Sequence, residues 1–149
     1  MLISCFTETF LQPQQQLDKL PMQEECIVFR LDCEQRNNED LAKGGILMVC
    51  PQSLQPVSIS NQRPPQLEVV GITATSIHSG SRMCILTVYR RPQQLLTTFL
   101  SLMDEFLSNL PQIVPTIILG DFNLNINLIQ IAPIDVIKRI LSACSSTHN

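Results

Sequence analysis

Tryptophan is absent, tyrosine occurs once, and only 15% of the 149 residues carry charge. The formal net charge of -3 excludes a chain-wide electrostatic pull on nucleic acid, so any such contact must rest on a local site. Basic residues gather weakly at Arg82, Arg90 and Arg91, a density that ordinary solvated surface also produces. No run approaches the roughly 18 apolar residues that span a bilayer, which argues against a membrane partner. Two histidines, and cysteines without a CxxC or Cys/His spacing, give no zinc pattern. The opening "MLISCFTETF" lacks a basic n-region, and Glu8 interrupts it before an apolar h-region forms. The six cysteines (Cys5, Cys26, Cys33, Cys50, Cys84, Cys144) therefore read as reduced, mostly core thiols of an intracellular protein, nuclear or cytoplasmic.

What is present is enough for one folded domain. The length allows a sizeable core, and 44% of the residues are apolar. Short β-branched runs at 2–6 (LISCF), 26–31 (CIVFRL) and 44–50 (GGILMVC) predict strands, the last two forming a hairpin with a long loop. Residues 11–25 are rich in Gln and read as a loop or broken helix, and 32–43 as a polar turn. Prolines restrict 51–65 to a loop with room for one edge strand.

Two stronger runs, 67–77 and 83–90, flank the turn "HSGSR" and predict a hairpin. In the second run Cys84, Leu86 and Val88 share one face, and Met83, Ile85, Thr87 and Tyr89 the other. Both faces are largely apolar, as for a strand covered on both sides. After Pro92 the period changes. Leu95, Phe99, Leu102, Met103, Phe106 and Leu110 recur at steps of three and four, predicting an amphipathic helix over 93–110. Residues 114–120 (VPTIILG) predict a buried strand, and 132–144 a second helix with Pro133 in its first turn. This order implies an α/β layered fold on a mixed sheet.

Three polar groups stand just past apolar strands: Glu8, Tyr89 with Arg90 and Arg91, and the "GDFN" segment 120–123. An extended exit from the last strand would put Asp121 and Asn123 on one side and Phe122 on the other. The acid could orient water and the amide could donate to a phosphoryl oxygen. An Asx-turn that satisfies only backbone donors explains the same residues. Glu8 is either a carboxylate able to hold a hard cation with waters and phosphate, or an exposed glutamate opening a loop. Tyr89 either bonds a phosphate or sits amphipathically at a rim.

Taken together, "CFTETF" (5–10), "GGILMV" (44–49), "LTVYRRP" (86–92) and "TIILGDFN" (116–123) resemble, in order and rough spacing, the endonuclease/exonuclease/phosphatase family. The likeness is greatest to the endonuclease domain of LINE-type (non-LTR) retrotransposons. It implies a single partial domain over 1–149, an α/β, incomplete deoxyribonuclease-I-like two-sheet sandwich with flanking helices. It further implies hydrolytic nicking of DNA with Mg2+. Glu8 matches the family's metal-binding glutamate, Tyr89 and Arg90 a tyrosine and its neighbour at the phosphate, Asp121 the acid that positions water, and Asn123 the amide that orients the phosphate.

The family pattern also has a first-strand Asn ahead of "TET" and a C-terminal Ser-Asp-His, neither of which has a counterpart in this sequence. His148 is not preceded by Ser-Asp, and His78 falls in a hairpin turn. Weak or absent turnover is the expectation, with a non-catalytic protein- or nucleic-acid-binding module as the alternative. Open sheet edges would then favour marginal stability, or a partner or second copy covering them.

Overall fold

The computed structural model describes residues 2–12, 15, 25–32, 44–110 and 114–123. Most of the Gln-rich loop, most of the polar turn at 32–43, the helix expected over 132–144, Cys33, Cys144 and His148 lie outside the described residues.

Chain order is β1 (Ser4–Thr7), β2 (Cys26–Leu31), β3 (Ile46–Pro51), β4 (Val57–Ser58), β5 (Glu68–Thr75), β6 (Arg82–Tyr89), α1 (Leu96–Ser108) and β7 (Thr116–Asp121), with two short 3-10 turns on either side of β4. The strands form two sheets, one ordered β1-β3-β2 and the other β4-β5-β6-β7. The first is antiparallel throughout. The second is mixed: β5 and β6 form the expected antiparallel hairpin, and β7 returns parallel to β6 after α1. The proline-containing segment supplies the single edge strand β4, two residues long.

Two apolar layers follow from the alternation of side chains along β5 and β6. Val69, Cys84, Leu86 and Val88 point to one face and pack with Phe99, Leu100, Met103 and Phe106 of α1. Val70, Ile72, Ala74, Ile85 and Tyr89 point to the other and pack with Ile46, Met48 and Cys50 of β3. The layers thus run helix, four-stranded sheet, three-stranded sheet, a mixed α/β arrangement in which the two sheets face each other as in a sandwich. The four described cysteines are free thiols, Cys50 and Cys84 buried.

Two expectations need correction. Leu95 is not part of the buried helical stripe. It is the N-cap of α1 and 71% exposed, because the helix starts only after it, while Leu100 takes a place in the core instead. The strand at 116–121 is not covered on both faces. It lies at the end of its sheet, and only Ile118 packs towards α1, while Ile117 and Leu119 are each 44% exposed. Their register partners Ile85 and Thr87 are buried, so the three-stranded sheet covers β6 and leaves the same face of β7 half open.

Candidate functional site

Parallel pairing of β6 with β7 puts their C-terminal ends side by side. Tyr89 and Asp121 are register partners, each the last residue of its strand. β1 ends at the same place from the opposite sheet. Glu8, the first residue beyond it, turns into left-handed backbone at φ 54°, and Tyr89 Oη donates a 2.6 Å hydrogen bond to its Oε1. Three chain segments distant in sequence therefore meet at one end of the layers, joined by that bond.

Tyr89 is 2% exposed. Burial is the main cause that holds its hydroxyl protonated well beyond the ordinary tyrosine range. The bond to Glu8 and the nearby charges of Glu8, Glu68 and Asp121 add to it. The phenol is thus a fixed donor between carboxylates.

The "GDFN" segment does not leave the strand extended. Asn123 has φ 45°, its main-chain N–H donates to Asp121 Oδ1 at 2.9 Å, and its Nδ2 donates to the Arg90 carbonyl at 2.8 Å. This is an Asx-type turn. Asp121 Oδ2 and the second Nδ2 hydrogen of Asn123 accept and donate no bond among the described residues, so the turn presents them without consuming them. Phe122 packs edge-on against Phe99 of α1, ring centroids 6.1 Å apart, as an anchor between the two polar residues. Gly120, φ 138°, is required: a Cβ there would collide with the Val88 carbonyl of β6.

Arg90 is 7% exposed. Its Nε donates to the Phe122 carbonyl at 2.6 Å, and its terminal nitrogens to the carbonyls of Gln94 and Asn123. The guanidinium is spent on main-chain oxygens, so the residue expected at a phosphate instead clamps the turn to the end of β6. Nor do the arginines read as a cluster assemble into one. Arg82 begins β6 at its far end, Arg90 is buried in the turn, and Arg91 pairs with Glu68.

Glu68, the register partner of Tyr89 at the start of β5, was missed by sequence reasoning. Its carboxylate accepts from Arg91 Nε and, at 3.2 Å, from the Gly45 N–H. Gly44 and Gly45 have φ 92° and 94°, and a Cβ on Gly44 would strike the Glu68 carboxylate. The available signal was its position as the one charge in the otherwise uncharged run 67–77.

Among the described residues, no three His, Cys, Asp or Glu side chains are grouped to hold a metal. Magnesium asks for less: one or two carboxylates, with waters and substrate phosphate completing the shell. Glu8 fits that mode, since it is exposed, steadied through Oε1 by Tyr89, and leaves Oε2 without a bond among the described residues. His78 belongs to the turn between β5 and β6, roughly 23 Å along β6 from Tyr89 at strand rise, so it takes no part. No helix among the described residues is long and apolar enough to cross a membrane. No protein-family model matches this chain, nor does any curated protein.

Proposed function

We propose that this chain is a phosphodiesterase domain of the deoxyribonuclease-I-like endonuclease class, of retrotransposon origin, which nicks DNA slowly with Mg2+. The observation that carries this reading is the meeting of Glu8, Tyr89 and Asp121 at one end of two facing sheets, linked by the 2.6 Å bond from Tyr89 to Glu8. Glu8 would hold the ion, which when bound supplies Lewis-acid charge to a phosphoryl oxygen. Asp121 Oδ2 accepts the proton of a water that adds to phosphorus, one P–O ester bond breaks, and the departing oxygen takes a proton from solvent. The remaining Asn123 N–H donates to the phosphoryl oxygen as it gains charge. Tyr89 holds the Glu8 carboxylate in place.

Slowness is expected because no imidazole lies near these groups among the described residues. A leaving oxygen without a positioned acid forfeits roughly 10²–10⁴-fold in rate.

The test is relaxation of supercoiled plasmid with Mg2+, comparing the unchanged chain with Asp121→Ala and Glu8→Gln. Nicking should fall at least about tenfold in each. Equal rates in all three proteins would exclude catalysis at this site. They would favour the alternative, a non-catalytic module that binds nucleic acid or protein.

A further inference from the structure

Beside the site, on the other flank of Glu68, the described residues enclose a cleft of about 460 Å3. Glu68 is both the register partner of Tyr89 and part of the cleft wall, so one wall of the cleft and the tyrosine stand on adjacent strands, whose backbones run roughly 4.8 Å apart. Its other polar walls are Arg63, Arg91, Asp32, and the side chains of Gln66, Gln93 and Gln94.

The two acids in this wall are already engaged. Asp32 Oδ1 accepts from Arg30 Nε at 2.5 Å, and Glu68 accepts from Arg91 and Gly45. Arg63 has no acidic partner among the described residues. One of its terminal nitrogens reaches the carbonyls of Pro64, Pro65 and Leu67 at 3.5, 3.3 and 3.0 Å, which fixes the side chain while Nε and the other terminal nitrogen stay open. Among the described residues Arg91 likewise uses only Nε. The cleft therefore presents, among the described residues, two guanidinium edges and neutral amides, and both of its acids are paired with arginines. That donor set suits a phosphate, since guanidinium edges pair with phosphate oxygens in a two-pronged fit.

We propose that this cleft is a second phosphate subsite, which holds a backbone phosphate of the DNA strand neighbouring the one at Glu8 and Tyr89. The inference rests on the nucleic-acid reading above, and it gives a chain of net charge -3 the local electrostatic foothold that its composition requires.

The probe is a fluorescein-labelled DNA duplex, its affinity followed by anisotropy in EDTA across a range of salt, so that catalysis plays no part. Gln93→Glu is the first variant. Gln93 is exposed and its side chain makes no hydrogen bond among the described residues, so folding is undisturbed. It should weaken binding at least about threefold by like-charge repulsion of phosphate. Arg63→Gln should lower the slope of log affinity against log salt by about 0.9, the loss of one phosphate contact. Unchanged affinity and slope in both variants, with the unchanged chain still binding, would overturn the subsite and leave the nucleic-acid reading standing. Failure of the unchanged chain to bind duplex would overturn both.

Discussion

Tyr89 is the only tyrosine, and there is no tryptophan, so the near-ultraviolet absorbance of tyrosinate reports this one site. Its ionisation is opposed first by burial and then by Glu8, Glu68 and Asp121. In the unfolded chain it titrates near its ordinary value of about 10. Because the folded value lies above the unfolded one, the contribution to stability is complete below about pH 10 and is lost as pH rises above it. The folded protein should show no tyrosinate signal at about pH 10.5, whereas the same protein in denaturant should be largely ionised. Glu8→Gln, which removes the carboxylate charge but keeps an acceptor, should bring the native titration down. A native titration at the ordinary value would mean that Tyr89 is not buried between these layers, and an unchanged titration in Glu8→Gln would mean that the Glu8 charge does not act on it. Of the residues here, Glu8, Tyr89 and Asp121 were legible because each ends an apolar strand. Arg90 was not, since nothing in "YRRP" separates a guanidinium that turns inward to three carbonyls from one that faces solvent. Asp121 and Asn123 had two readings, and the local geometry is the turn; a turn and a reactive corner can share the same four residues.

At the scale of elements, α1 holds by packing rather than by its ends. Phe99, Met103 and Phe106 are buried on the sheet, yet the N-cap position is Leu95, with no side-chain cap and no acid in the first turn. Among the described residues the first N–H groups of the helix therefore lack a capping side-chain acceptor. Leu95→Asp would supply one to the Thr97 or Thr98 N–H and set a negative charge against the helix dipole. It removes a side chain that is 71% exposed, so little packing is lost. Stability should rise by about 1 kcal/mol in denaturant titration, and a fall would show that Leu95 packs against something. The helix itself was legible from its period of three and four. Its start was not, because Leu95 fits the same spacing as the residues behind it. Periodicity marks a face, whereas a boundary needs a capping side chain, and the N-cap residue at the start of this helix supplies none.

Among the described residues the layers of the whole molecule are built around β5 and β6, each covered on one face by α1 and on the other by the three-stranded sheet. β7 is covered only in part. "TIILG" reads in sequence like "CILTV", because an apolar run states that a strand can be buried and not how far the opposing sheet extends. Three strands facing four leave Ile117 and Leu119 each 44% exposed on the inner face, and β7 pairs with β6 along one edge only among the described residues. Exposed apolar side chains beside an unpaired strand edge are the usual template for edge-to-edge association. Concentration-dependent self-association through β7 is the expected consequence, visible as a rising average mass in sedimentation. Ile117→Lys should suppress it, since a lysine on an edge strand resists pairing with a second copy. Ile117 is already half in solvent, so the substitution should cost no more than about 1 kcal/mol in folding stability. Asp121, four residues further along β7, should keep its place in the Asx-turn, so the nicking proposed above should be unchanged per folded chain. Association that persists undiminished in Ile117→Lys would place the contact elsewhere, with the exposed Phe6 and Phe10 around the end of β1 as the next surface to alter.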